Sequence, residues 1–295
     1  MAKSLGQIHS VNTTITGIVD NTRRERIDIP GELTEQLQRL VRQGCFYKLV
    51  GLDLTVNSQT ATGEGGKITG VFRYFAPTQG RCAAYRAAFK TMAEQMSIQG
   101  VSMRDNKMYD FRVDLNNETT GLKSVLKNQA TLDGTLGLSL INSDDRYSVF
   151  ATHNNSQKPQ FGGTADEQFT EGFNTLLQSG AGNTDFVLND SIMYTGNEHF
   201  ASNQYEEIPF EVAFGDQINE TAVTSFQWRP DPALYIAIMT GQLEMVLDNV
   251  YVDDNSISLQ LNCNFMVSGW KSIMGDPDKK KKSSRKRMTS KKARK

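Results

Sequence analysis

The feature that most constrains the fold is a two-residue alternation of apolar and polar side chains late in the sequence. Apolar residues occupy every second position of this stretch: Ile257, Leu259, Leu261, Cys263, Phe265 and Val267. Ser258, Gln260, Asn262 and Asn264 lie between them. Because successive side chains of a strand point to opposite faces, the pattern predicts a strand with one buried and one wetter face. Such strands are typical of antiparallel sheets.

Other stretches predict the remaining elements. Alternating or β-branched residues predict strands at 11–19, 46–56, 68–75, 108–115, 146–152, 208–214 and 243–251. Apolar residues at helical spacing predict helices at 32–42, 81–96 and 166–178. These helices are too few to cover both faces of a parallel sheet. The fold class is therefore mainly β, with antiparallel sandwiches or jelly rolls that carry helices in long connections.

The order of elements predicts two similar halves in one chain. Each half has one main helix among strands, and residues 153–164 (HNNSQKPQFGGT) have the composition of a linker. We therefore predict one sandwich over residues 1–155 and a second over 156–274. A basic arm would follow at 275–295. No repeat is visible at the level of residues, so the duplication would be topological only.

The basic arm dominates the charge distribution. Its cations are Lys279, Lys280, Lys281, Lys282, Arg285, Lys286, Arg287, Lys291, Lys292, Arg294 and Lys295. Without these eleven, the 32 basic residues of the chain fall to 21 against 33 acidic ones, so residues 1–278 carry a net charge of −12. Such a dense run of like charge predicts disorder. It also predicts affinity for polyanions, either nucleic acid or anionic lipid.

Candidate catalytic and metal-binding residues do not form a convincing site. The three histidines, His9, His153 and His199, have no second histidine or cysteine at metal-ligand spacing. The pairs at 144–145 and 253–254 are both Asp-Asp, and we interpret them as acidic turns rather than catalytic dyads. We therefore predict no catalytic, cofactor or metal site, and a protein that is not an enzyme.

Two further motifs favour structural interpretations. Residues 63–69 (GEGGKIT) resemble a phosphate-binding loop, but Ile68 follows the lysine where a magnesium-binding hydroxyl is needed. Phe72, Tyr74 and Phe75 surround Arg73 and could stack nucleobases, although aromatic residues in one alternating strand more often belong to a core. We favour a loop for the first motif and core for the second.

Composition also bears on compartment. Cys45, Cys82 and Cys263 are odd in number and far apart, which argues against a disulfide framework and indicates a reducing compartment. No run of about 18 apolar residues predicts a membrane-spanning helix. The first residues, MAKSLGQIHSVNTT, lack the apolar segment of a secretory signal.

One stretch carries a family resemblance. Residues 72–113, FRYFAPTQGRCAAYRAAFKTMAEQMSIQGVSMRDNKMYDFRV, resemble the first half of major capsid proteins of small icosahedral phages. The nearest group is the finnlakevirus type, a membrane-containing bacteriophage with a single-stranded DNA genome. It belongs to the double jelly-roll lineage that includes adenovirus hexons. Outside these residues the resemblance is one of size and element order.

The resemblance implies an architecture and a function. The chain would contain two upright jelly rolls, and three chains would form a pseudo-hexameric capsomer of an icosahedral virion. Its partners would be other copies of itself, minor capsid or vertex proteins, and viral DNA or an anionic inner membrane contacted by the arm. It would occupy the host cytoplasm before assembly and the virion capsid afterwards. The alternative is a nonviral β-sandwich module that binds nucleic acid or anionic surfaces through the arm.

Overall fold

A computed structural model describes residues 7–18, 23–58, 66–100, 111–117, 125–126, 138–143, 146–157, 205–214, 225–231, 236–252 and 259–274. In chain order its elements are β1 (His9–Ile18), β2 (Arg24–Asp28), α1 (Ile29–Leu37), β3 (Cys45–Ser58), β4 (Gly66–Tyr74), α2 (Gln79–Ile98), β5 (Phe111–Arg112), β6 (Asp114–Asn116), β7 (Val125–Leu126), β8 (Ser139–Ile141), α3 (Val149–Gln157), β9 (Glu206–Phe214), β10 (Ser225–Trp228), β11 (Ala237–Met239), β12 (Gln242–Val252) and β13 (Leu259–Ser272). The chain is mainly β, as predicted.

Eight main strands and the short β11 build two antiparallel sheets. Sheet A has the order β1-β13-β3-β10, and the short β11 also pairs with β3. Sheet B has the order β2-β12-β4-β9. In chain order, β1, β2, β3 and β4 alternate between the two sheets, beginning with sheet A. The next strand, β9, stays in sheet B, and β10, β12 and β13 then alternate again, beginning with sheet A. This alternation between two packed sheets is the arrangement of a jelly roll.

The two sheets correct the predicted division of the chain. Strands from the two predicted halves pair directly, with Val11 of β1 opposite Phe265 of β13 and Ile27 of β2 opposite Leu243 of β12. The proposed boundary at residue 155 falls inside α3. The described strands therefore form one sandwich that both halves share, instead of two consecutive ones. Alternation specifies which face of a strand is buried, but it does not specify the partner strand.

The main core lies between the sheets. Phe72 of β4 is fully buried, and its ring centroid lies 4.8 Å from that of Phe210 on β9 and 5.5 Å from that of Phe265 on β13. The alternation in β13 behaves as predicted, since Leu259, Leu261, Cys263, Phe265 and Val267 are all buried in this cluster. Phe72 thus joins sheet B to sheet A at the centre of the sandwich.

The connection from β4 to β9 carries a second, smaller core. It contains α2, which confirms the helix predicted at 81–96. Thr78 caps the start of this helix, and its hydroxyl accepts a hydrogen bond from the Arg81 amide at 3.3 Å. The buried apolar residues of this core include Phe75, Tyr85, Phe111, Leu140, Phe150 and Ile273. The helix predicted at 166–178 lies outside the described residues.

Two local predictions need correction. Residues 149–157 form α3, where a strand at 146–152 and the start of a linker were predicted. The Ala151 amide donates to the Ser148 hydroxyl at 3.2 Å, which is the contact of a helix-capping serine. The strand predicted at 108–115 is divided into the short strands β5 and β6, and its first residues lie outside the described part.

Candidate functional site

The insertion between β4 and β9 is attached to sheet B by buried ion pairs. Arg26 of β2 donates to Asp114 of β6 at 2.8 Å, and Arg112 of β5 pairs with Asp28 at the end of β2. The two arginine side chains are only 4% and 3% exposed. Buried ions of this kind are stable only when each charge has a partner. The insertion is therefore held in one position on the outer face of the sheet.

Uncharged polar groups extend this attachment. The Gln43 side chain accepts a hydrogen bond from the Val113 amide at 2.6 Å and donates to the Val113 carbonyl at 3.0 Å. Asn116 donates to the Glu244 carboxylate at 3.0 Å and to the Tyr205 hydroxyl at 3.1 Å. Directional bonds on both edges of the short strands fix their register against the sandwich.

The outer faces of the two sheets differ in charge. On sheet A, Ser10 and Thr14 of β1 donate to Asn264 and Asn262 of β13, and the Thr14 bond measures 3.0 Å. On sheet B, Lys67 pairs with Glu211 at 2.7 Å, and further cross-strand charges lie beside it. An outer face of small uncharged groups can approach another surface without removing water from ions, whose burial is costly. The β1–β13 pair of sheet A is therefore better suited to close contacts than β3, where Asp53 pairs with Arg229 at 2.6 Å on the same outer face.

The last described residues are anchored to the body. The Ile273 amide donates to the Gly44 carbonyl at 3.1 Å, and Arg86 of α2 donates to the Ile273 carbonyl at 3.2 Å. Met274 packs so closely on Gly44 that a Cβ added there would lie 3.2 Å from its Cγ. All eleven predicted contact residues, from Lys279 to Lys295, lie outside the described residues. The chain nevertheless enters that segment from a fixed point.

A cavity of about 340 Å³ lies between α2 and α3. Ala84, Ala88 and Met92 of α2 line one side, and Val149 and His153 of α3 line the other. His153 is 8% exposed, and within the described residues its Nδ1 has no hydrogen-bond partner. Burial, together with the charge of nearby Arg86, lowers the pKa of His153 below its usual value. The folded protein therefore favours the neutral imidazole.

Replacing His153 should reduce the acid sensitivity of the fold. Unfolded chains protonate histidine near about pH 6.5, but the native protein resists this, so the free energy of unfolding falls as the pH drops below that value. The free energy of unfolding falls by up to about 1.4 kcal/mol for each unit by which folding lowers the pKa of His153. We expect His153→Gln to flatten this decline in urea unfolding followed from about pH 7.5 to about pH 5. Equal declines in the variant and the parent protein would contradict the assignment.

The other histidines and the cysteines show no activated chemistry in the described part. His9 packs against Trp270, and His199 lies outside the described residues. Burial raises the pKa of Cys45 and Cys82, and it raises the pKa of Cys263 to about 12, so these thiols are poor nucleophiles. Among the described residues, no group of three or more histidines, cysteines and carboxylates could hold a metal ion.

The remaining sequence candidates take structural positions or lie outside the description. Phe72, Tyr74 and Phe75 are buried, which confirms the interpretation as core, and Arg73 donates to Glu207 at 2.8 Å. Residues 66–69 of the glycine-rich motif belong to β4, whereas a loop was predicted there, and 63–65 are not described. The aspartate pairs at 144–145 and 253–254 are likewise outside the described residues.

Sequence reasoning missed the buried ion pairs. Arg26 and Asp28 lie between the strand predicted at 11–19 and the helix predicted at 32–42, and Arg112 and Asp114 lie in the strand predicted at 108–115. An alternation of arginine with acid at 24–28 and again at 112–114 was the available signal. It did not reveal that the two stretches face one another, because they are more than eighty residues apart.

The class defined by these observations is a jelly-roll β protein with an ion-paired insertion between its fourth and fifth sandwich strands. Comparison with protein-family models, with curated proteins and with solved structures found no match. Among the described helices, none has the length and apolar character needed to span a bilayer. The function is therefore inferred from the fold and its surfaces.

Proposed function

We propose that this chain is a capsid protein whose copies assemble an icosahedral virion shell, with residues 279–295 contacting genome or inner membrane. The observation that carries the proposal is the eight-strand jelly-roll order, an architecture that viral capsid domains share with some lectins and cupins. The family resemblance of residues 72–113 points to the same class. An assembly subunit needs a stiff body, broad surfaces and a place for the genome.

The stiff body is supported by the attachment of the insertion. Two ion pairs and the Gln43 clamp hold the β4–β9 connection on the sandwich, so most of the described chain forms one continuous packed unit. A subunit that repeats identical contacts around a closed shell needs such fixed geometry. An error in the angle between two neighbouring subunits is repeated at every equivalent contact, and the shell then does not close.

The number of chains in a capsomer follows from the sandwich count. Three chains with two jelly rolls each would give six sandwiches, which is the basis of the predicted pseudo-hexamer. With one described sandwich per chain, a trimer presents three sandwiches, and six chains are needed for a hexagonal arrangement. We therefore propose that the chain assembles with copies of itself, and the number of chains in each capsomer is to be measured.

We expect the purified full-length protein to form closed particles of uniform diameter by electron microscopy, with oligomeric building blocks in light scattering at lower concentration. Weak contacts repeated over a shell become strong through multivalency. A protein that stays monomeric at high concentration, with and without DNA or anionic vesicles, would exclude the capsid proposal. A small species that binds DNA without building particles would favour the alternative nucleic-acid module.

A pair of matched variants tests the contact face. Thr14→Lys adds a charge to the uncharged outer surface of the β1–β13 pair in sheet A, whereas Thr69→Lys adds the same charge beside Glu211 on sheet B. We expect Thr14→Lys to raise the concentration required for assembly about tenfold, since burying an unpaired charge costs more than 1.4 kcal/mol. Thr69→Lys should assemble like the parent protein. The reverse ranking would place the contacts on sheet B.

A further inference from the structure

Three separate stretches meet at one end of the sandwich. Strand pairing places His9 opposite Val267 and Cys45 opposite Ser272, so residues 7–10, 38–48 and 268–274 converge there. Together these stretches contain the cations Arg39, Arg42, Lys48 and Lys271 and not one acidic residue. We call these four residues the basic end. The nearest acids in sequence are Glu35 of α1, Asp53 of β3 and Asp276, which follows Met274 by two residues.

The basic end contrasts with the charge of the rest of the body. Residues 1–278 carry −12 overall, so three stretches that contain four cations and no acidic residue depart from their average composition. Arg86 adds a fifth cation at the same end through its bond to the Ile273 carbonyl. The positive segment at 279–295 begins only five residues after Met274. The folded and the terminal cations are therefore close in sequence, with Asp276 and Asp278 between them.

An aromatic ring at the basic end lies beneath Arg39. Trp270 is half-buried, and its ring centroid lies 5.4 Å from that of His9 and 6.0 Å from that of Tyr47, which stacks on it. The Arg39 guanidinium lies over the ring at 5.7 Å from its centroid. Tyr47 is completely buried and supports the ring from the core. The indole is thus held firmly, with an arginine plane over it.

We propose that the basic end is a nucleic-acid site built into the fold, which binds single-stranded DNA or RNA. Arg39, Arg42 and Lys271 would contact phosphates, and an unpaired base would stack on the Trp270–Arg39 pair. Rings and guanidinium planes bind single strands in this way because every base has a π-face, whereas duplex bases are already stacked. The inference rests on the proposed function and orients the subunit, with this end facing the genome.

Trp270 provides its own reporter. The chain has two tryptophans, and Trp228→Phe leaves Trp270 as the sole indole of the full-length protein. We expect oligo(dT) and oligo(rU) to quench its emission and duplex DNA to quench it much less. Preference between the two oligonucleotides would identify the genome chemistry. Trp270→Leu should weaken oligonucleotide binding roughly tenfold, as loss of one stacked base does.

A charge-matched pair of variants tests the phosphate contacts. Arg39→Gln with Lys271→Gln should lower the slope of log affinity against log salt by roughly 1.4, because each lost contact with a single strand contributes about 0.7. Lys67→Gln with Lys90→Gln removes the same charge from side chains that pair with Glu211 and Glu94, outside the basic end. That control should keep the parent slope. Equal slopes in both double variants would overturn the proposal.

The terminal segment and the shell are tested separately. A full-length variant with all eleven terminal cations changed to glutamine should bind more weakly but keep the quenching of Trp270. Loss of all quenching in that variant, or a response of Trp270 to phosphatidylglycerol vesicles and not to oligonucleotide, would overturn the site. Particles in the microscope without quenching would refute the site and leave the capsid proposal standing. Quenching without particles would refute the capsid proposal alone.

Discussion

Phe72→Ala should destabilise the whole sandwich by about 3 to 5 kcal/mol, the usual cost of removing a buried phenylalanine. Phe72 is fully buried and contacts Phe210 and Phe265, so its loss opens a cavity between sheets A and B. Guanidinium unfolding followed by tryptophan fluorescence and by circular dichroism measures the change. Because strands of both predicted halves share this core, the two signals should move together in one transition.

The control is a large apolar residue outside the core. Ile98 at the end of α2 is 87% exposed, and we expect Ile98→Ala to change the free energy of unfolding by less than about 0.5 kcal/mol. Two separate transitions in the Phe72→Ala protein, with only one of them shifted, would contradict the single sandwich. They would restore the division into two independent domains.

Arg112→Met should cost about 3 to 5 kcal/mol, because it leaves the Asp28 carboxylate without its buried partner. The Arg112 and Asp28 side chains are 3% and 15% exposed, so water can solvate the remaining charge only in part. Methionine preserves most of the side-chain volume, which confines the loss to the charge. Urea unfolding measures the free energy of unfolding. Compared with the parent protein, amide hydrogen exchange should accelerate more in β5 and β6 than in sheet A.

Two comparisons isolate the charge effect. Adding Asp28→Asn to Arg112→Met removes the unpaired charge and should recover much of the lost stability. Asparagine is also tolerated at this position, which precedes α1. Arg73→Met breaks an ion pair whose side chains are 25% and 40% exposed and should cost less than about 1 kcal/mol. If Arg112→Met were no more costly than Arg73→Met, the ion pair would not anchor the insertion.

Much of the local structure was predictable from the sequence. The alternation at 257–267 placed the buried residues of β13 correctly, because a strand has only two faces and one of them meets the core. The length and alanine content of α2 predicted a helix for the same kind of local reason. Residues 149–157 were predicted wrongly because Tyr147 and Val149 resemble an apolar alternation, while the capping role of Ser148 went unrecognised.

The candidate site was less predictable. The acidic body and the basic segment at 279–295 follow from counting charges alone. The basic end does not, because Arg39 and Lys48 lie more than two hundred residues from Lys271 and share no motif with it. Trp270 looked like the residue that ends a strand. Its position beside His9 and over Tyr47 depends on which strands pair with β13.

The sequence by itself determined the β class, the buried face of β13, the α2 helix and the separation of charge along the chain. These properties depend on neighbours within a few residues, where backbone geometry fixes which side chains lie together. Only the tertiary structure decided that both halves share one sandwich, that Arg112 meets Asp28 and that Arg39 lies over Trp270. Those contacts join residues far apart in sequence, and they are selected by the packing of the whole core rather than by any local pattern.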